Sequence, residues 1–281
     1  MLRVLIKPTT FEILPKQSHQ NPYIDTHHKV SKHAANQQHA QLVKELTLPI
    51  VFTLNKPEVQ LPDIVYIASA GLSLPRLPTP CVVLPNMKYP QRKAELPYIK
   101  SILSDLKIPY IDYPGKEPFE GQAEFKWFDG GRKAICGYGY RSTKQTYVEL
   151  NKFFKKVYGT KAPELLVIPI ESPNFYHLDL AILQYDNNSK CIVQKQAFTD
   201  ATLNKIKTFL GKDNVTIINT TDNFCLNAII DGKKLITHTL TDPTLKPELE
   251  KLTGLTVKQL NMSEFEKSGG SVRCVTFDIY I

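Results

Sequence analysis

The stretch AICGYGYRSTKQTYVELNKFFKKVYGTKAPELLVIPIE, residues 134–171, decides how this chain is built. It opens on a short apolar and aromatic run, AICGYGY, and closes on another, LLVIPIE, each of strand length. Between them, residues 143–158 carry helical spacing, with Tyr147, Leu150, Phe154 and Val157 on one face. RSTKQTYVEL supplies an N-cap signal at the start of that helix. Strand, helix and strand in so short a span make an α/β unit.

Outward from this unit the pattern recurs. Residues 32–46, 95–106, 199–210 and 241–253 also carry helical periodicity, as in the stripes Leu96, Ile99, Leu103, Leu106 and Leu245, Leu249, Leu252. Strand-like runs lie between them, among them PIVFTL, DIVYIASAGLSL, CVVLPN, HLDLAILQY, CIVQKQAF, VTIINT, NAIIDGKKLITH and SVRCVTFDIYI. The helices return every 40–60 residues. Such spacing fits a repeated α/β unit whose neighbours cover one another's strand faces in a ring or an array. An open α/β sheet with helices on both faces accounts for the same alternation. No Pro/Gly/Ser-rich linker divides the chain, so residues 1–281 read as a single domain.

Composition is that of an ordinary globular protein. No apolar stretch approaches the roughly 18–20 residues needed to span a bilayer, which argues against a membrane partner. MLRVLIKPTTFEIL lacks a small-residue cleavage site and reads as a first strand rather than a leader. The five cysteines (Cys81, Cys136, Cys191, Cys225, Cys274) are widely spaced without a CxxC pair, which points to a reducing compartment and a cytoplasmic protein. The formal charge of +8 invites a nucleic-acid partner. However, the dense cluster KFFKKVY places Lys152, Lys155 and Lys156 on the solvent face of its helix, with no stacking aromatics interleaved. No nucleic acid is expected. His19, His27, His28, His33 and His39 crowd the start, but no acidic or Cys ligands accompany them at metal spacing. No metal is expected either.

Three places interrupt apolar runs with chemically capable groups. In EPFEGQAEFKWF, Glu120 and Glu124 flank a glycine turn before an aromatic strand. In PNFYHLDLAILQY, His177 and Asp179 stand at i and i+2, which in a strand points both to one face. In EKSGGSVRCVTFDIYI, Gly269 and Gly270 free the backbone to turn sharply and approach a ligand, and Cys274 follows at the lip of a strand. A Cys, a His and carboxylates from separate segments can assemble a nucleophilic site. Each also has a plain structural reading: a buried Cys capping a strand, a satisfied core His, an Asp paired with a lysine.

FEGQAEFKWFDGGRKAICGYGYRS, FYHLDLAI and GGSVRC, in that order, resemble the signature segments of the guanidino-group-modifying enzymes, or penteins. That superfamily includes arginine deiminases and dihydrolases, dimethylarginine dimethylaminohydrolases and amidinotransferases. PTTFEI…NPYID, LPDIVYIASAGLSLP, NMKYPQRKAELPYI and NFCLNAI resemble further family segments, so the likeness runs along nearly the whole chain. It implies a fivefold pseudosymmetric α/β propeller with a central active site and no organic cofactor. By the same resemblance Cys274 matches the nucleophile and His177 the general acid/base. Asp179 matches the carboxylate that grips the guanidinium. Glu120 matches the first acid of the family's turn and Glu124 the second, with the two free to exchange roles. Arg141 and Arg92 match arginines that hold a substrate carboxylate, and Asn21 an Asn near the guanidino end. Ser69 stands where the dihydrolase-like branch carries Asn or Asp.

The implied activity is Cys-dependent hydrolysis of the guanidino group of a small arginine-like substrate, with a lowered Cys pKa supplying the thiolate. Amidinotransfer through the same intermediate, and a non-catalytic binding protein of the same fold, are the alternatives. Oligomeric state is not legible in the sequence.

Overall fold

The computed structural model describes residues 1–14, 21–54, 57 and 59–281; His19 lies outside them. Its strands form five separate three-stranded sheets. The unit opened by the quoted stretch holds β6 (Phe125–Phe128), β7 (Lys133–Tyr138) and β8 (Glu164–Pro169), with the helix Lys144–Tyr158 between β7 and β8. β6 pairs antiparallel with β7, and β7 parallel with β8. A parallel pair needs a crossover, and the helix is that crossover. Thr143 caps it, accepting from the Thr146 amide. Tyr147, Leu150 and Phe154 go into the core, and Lys152, Lys155 and Lys156 stay exposed.

The same hand of cards is dealt five times. β3 (Leu72–Ser73), β4 (Val82–Val83) and β5 (Tyr110–Ile111) enclose the helix Leu96–Asp105. β9 (Ile182–Tyr185), β10 (Lys190–Gln194) and β11 (Val215–Ile218) enclose Asp200–Leu210, and β12 (Ile229–Asp231), β13 (Lys234–His238) and β14 (Thr256–Leu260) enclose Leu245–Thr253. In each, the first pair is antiparallel and the second parallel. The fifth unit joins both ends of the chain: β15 (Phe277–Ile279) pairs antiparallel with β1 (Leu2–Ile6), which runs parallel to β2 (Ile50–Phe52) across the helix Lys32–Glu45. The result is the fivefold pseudosymmetric α/β propeller.

Three strand expectations fail in one informative way. His177 and Asp179 do not alternate along a strand: Leu178–Ala181 form a short helical turn, and β9 begins only at Ile182. Likewise Ile67–Ala70 make a 3₁₀ turn before β3, and residues 272–275 form a turn before β15, so Cys274 precedes its strand. The first strand of every unit is entered through a tight turn, because the chain must swing from the rim into the centre before it can pair.

Candidate active site

Those five entry turns supply the central site. Ser69 comes before β3, Glu120 and Glu124 before β6, His177 and Asp179 before β9, Asn227 before β12 and Cys274 before β15. Seven of the nine residues singled out from the sequence line one small cavity: Asn21, Ser69, Arg92, Arg141, His177, Asp179 and Cys274. Glu120 and Glu124 are fully buried and do not line it.

Glu120 Oε2 lies 2.8 Å from His177 Nε2 and 3.5 Å from Arg141 Nε. The Lys88 amide donates to its other oxygen at 3.3 Å. Burial pushes the Glu120 carboxyl up, but the His177 hydrogen bond and the charges of Arg141, His177 and Arg92 outweigh it and bring the pKa down to about 2. Glu124 goes the other way. Burial and the neighbouring charges of Glu120 and Asp179 hold it well above the carboxylate range, against the Arg141 charge. Neither of its oxygens has a hydrogen-bond partner among the described residues, and Oε1 is 3.8 Å from His177 Nε2. The two glutamates therefore differ in contact: Glu120 is hydrogen-bonded to the imidazole Nε2, while Glu124 approaches the same nitrogen without a hydrogen bond.

Cys274 Sγ receives a hydrogen bond from Asn227 Nδ2 at 3.1 Å and lies 3.8 Å from Asp179 Oδ2. Asp179 is fully buried, and its Oδ1 lacks a partner among the described residues although the residue lines the cavity. An unpaired buried carboxylate oxygen is costly unless a ligand completes it. The expected low thiol pKa is not found. Burial and the Asp179 carboxylate push the Cys274 thiol up, overriding the Ser271 amide, the Asn227 amide and Arg273. At rest the sulfur is a thiol.

Sequence reasoning missed Asn227. Its Oδ1 accepts from the amides of Ser271, Arg273 and Cys274 at 3.2, 3.1 and 3.2 Å, and its Nδ2 also donates to the Asp179 carbonyl at 3.3 Å. The signal lay in NFCLNAI: an Asn among apolar residues just before a strand, the place where the other units carry their polar groups.

Arg92 is shared. Its Nε and Nη2 each donate to Glu95 at 2.9 Å, which leaves Nη1 facing Ser69 Oγ at 3.5 Å. Arg141 stacks over Tyr89 and Tyr176, 5.0 and 4.7 Å from their centroids. Asn21 Nδ2 donates to the Ser268 carbonyl at 2.8 Å. The glycine pair is also required by packing. A Cβ on Gly269, whose φ is +79°, would stand 2.7 Å from Asn21 Oδ1, and one on Gly270 would stand 2.2 Å from the Tyr66 ring. All five cysteines are free and buried, no cluster among the described residues could hold a metal, and no helix among them is long and apolar enough to cross a membrane.

The five-bladed α/β propeller brings a Cys, a His and carboxylates together at its centre, the arrangement that the resemblance to penteins implies. The comparisons with known proteins agree. The chain is 27% identical over 262 residues to the bifunctional arginine dihydrolase/ornithine cyclodeaminase ArgZ of Synechocystis, covering 92% of this chain and 35% of that one. It is 26% identical over 263 residues to the N(G),N(G)-dimethylarginine dimethylaminohydrolase of Mycobacterium tuberculosis, covering 92% and 80%. An Asn-to-Ser variant of the ArgZ N-terminal domain, covalently bound to a reaction intermediate, superposes with a TM-score of 0.81 at 25% identity, covering 98% of this chain and 96% of that one. No protein-family model matches. The chain spans about a third of the length of the bifunctional relatives. In sequence and fold it is similar to members of the guanidino-group-modifying superfamily.

Proposed function

We propose that residues 1–281 form one catalytic domain that hydrolyses the guanidino group of arginine or a modified arginine through a covalent intermediate on Cys274. The observation that carries this reading is the unpartnered Asp179 Oδ1 in the cavity, beside the sulfur and opposite the His177–Glu120 pair. A guanidinium is a planar cation whose N–H groups suit a carboxylate. Its arrival neutralises Asp179, the charge that opposes ionisation of Cys274, so substrate binding itself favours the thiolate.

The thiol proton passes to His177 as the S–C bond forms to the guanidino carbon. The tetrahedral adduct then collapses: the C–N bond breaks, and His177 returns the proton to the departing amine. Ionised Glu120 stabilises the imidazolium between these transfers. Water, deprotonated by His177, attacks the remaining amidino thioester and releases a ureido product with the thiol restored. Arg92 Nη1 and Arg141 stand where they can meet a substrate carboxylate. Ser69 reaches less far than an Asn and leaves room beside the guanidinium, which favours substituted guanidines. No metal or organic cofactor is called on, and neither nucleic acid nor membrane is a proposed partner.

Incubation with arginine, N-methylated arginines and other guanidino compounds, with and without an amine acceptor, tests the reading by product mass. Wild type should form a ureido product, Cys274→Ala none, and His177→Ala at least about a hundredfold less per unit time. Transfer of the amidino group to the acceptor would identify an amidinotransferase instead. Silence across the panel, with no adduct on Cys274, sinks catalysis.

A further inference from the structure

A second and larger cavity opens on the other side of the ring centre, lined in part by Lys126, Arg273, Arg3, Gln122 and Asp278. The wall between the two cavities is thin. Gln122 lines the second cavity and Ala123 the first; Arg273 lines the second and Cys274 the first. Adjacent residues of the same turns thus face opposite sides.

The charges around the second cavity do not balance. Arg3 pairs with Asp278 at 2.7 Å and Asp231 at 3.2 Å, and Arg273 pairs with Asp278 at 2.9 Å. Lys126 is 5% exposed, and no described acidic group or acceptor bonds its ammonium. A cation so enclosed is expensive even with the charges of Asp179 and Asp278 favouring it, and a strand residue that faced only packing would be better served by an apolar side chain. The proximity of Arg273 sharpens the imbalance, because two cations converge on the space.

We propose that this cavity binds a small oxyanion, a carboxylate or inorganic phosphate or sulfate, on the Lys126 ammonium, and that the bound anion makes Cys274 less nucleophilic. Oxyanions complement the ammonium and the positive charge of Arg273, which also lines the cavity. The Lys126 ammonium and the Cys274 sulfur are close enough for their charges to interact, so a negative charge held on Lys126 disfavours ionisation of the thiol, as Asp179 already does.

The test uses the intact protein, with acetate and inorganic phosphate titrated separately at constant ionic strength. Two readouts are followed: thermal stability, and the rate of Cys274 alkylation by the neutral reagent iodoacetamide, resolved by peptide mass analysis. Neither requires turnover, so the site stands or falls apart from the proposed hydrolysis. Wild type should show a saturable rise in Tm and alkylation slowed about threefold to tenfold, the scale of one added charge at short range in a protein. Saturation by one anion alone names the class that binds. Lys126→Met should lose both responses and Lys126→Arg keep them. Responses that persist in Lys126→Met would place the anion elsewhere, for example on Arg92 or Arg141, and overturn the proposal. Should the Met variant fail to fold, ¹³Cε NMR of wild-type lysines reads the same site. Burial and Arg273 lower the Lys126 pKa to about 8, and a bound anion should raise it; a titration unmoved by either anion refutes the idea.

Discussion

At the scale of single residues, Asn227 shows how much one amide can organise. Its carbonyl gathers three amides of the turn that carries the nucleophile, and its NH₂ group touches the sulfur itself. Two substitutions separate these duties. Asn227→Ala strands the Ser271 and Cys274 N–H groups, at about 1–3 kcal/mol for each that finds no water, while the Arg273 N–H keeps the Asn227 backbone carbonyl. A Tm several degrees lower and turnover down at least about tenfold are expected. Asn227→Asp keeps the acceptor and sets a carboxylate against the sulfur, which raises the thiol pKa further. Tm should then stay near wild type while alkylation of Cys274 at neutral pH slows. Equal losses in both measurements for the two variants would reduce Asn227 to a packing residue. The same reasoning predicts the pH behaviour of the free protein. Because the Cys274 pKa is raised, alkylation should climb through alkaline pH with no plateau near neutrality.

At the scale of elements, the turn carrying Gly269 and Ser271 is tied to its neighbour through a buried imidazole. His238, at the end of β13, lies 2.8 Å from Asp222 Oδ1 and 3.0 Å from Glu266 Oε1, and Ser271 Oγ reaches the same Glu266 oxygen at 3.2 Å. Burial lowers the His238 pKa, but the hydrogen bonds and charges of Asp222 and Glu266 prevail and raise it from 6.5 to about 9. A folded-state pKa above the unfolded one stabilises the fold fully below about pH 6.5, and that contribution is lost as pH rises through about 9. Its size is on the order of 2–3 kcal/mol. Denaturant unfolding of wild type should therefore weaken between those limits, and the slope should flatten in His238→Gln. An unchanged slope would show that the imidazole titrates alike in both states.

At the scale of the whole molecule, the ring is closed by the two ends of the chain, and one side chain bolts the joint. Arg3 on β1 reaches Asp278 of β15 and both Asp231 and the Ile230 carbonyl of β12, so it joins the closing sheet to its neighbour. Burial raises the Asp278 pKa, but Arg273 and Arg3 more than offset it and keep the carboxyl low. Arg3→Met leaves buried carboxylates short of a partner, a change that costs about 3–5 kcal/mol. Urea titration should show that loss as a lower midpoint with the slope retained. A loss below about 1 kcal/mol, the size of an exposed pair, would mean that closure does not depend on this residue.

The five helices and the order of the segments were legible because both are local. A 3.6-residue period and an N-cap report on the chain within a few positions, and the resemblance rests on short contiguous strings. Cys274, His177 and Asp179 could be singled out for the same reason: each breaks an apolar run in a way a core does not tolerate without cause. The entry turns could not, since LDLA and IASA sit inside strand-like runs, and only pairing partners from distant sequence decide where the ladder begins. Asn227 escaped because its local mark, an Asn in an apolar run before a strand, says nothing of its use; its worth lies in three amides more than forty residues away. The ionisation states lay furthest out of reach. Glu120 and Glu124 are four positions apart in one string, yet the pKa of one is lowered by His177 and two arginines while burial and the charge of Glu120 raise that of the other. Charge depends on what surrounds a group in space, and that is settled only when the ring closes.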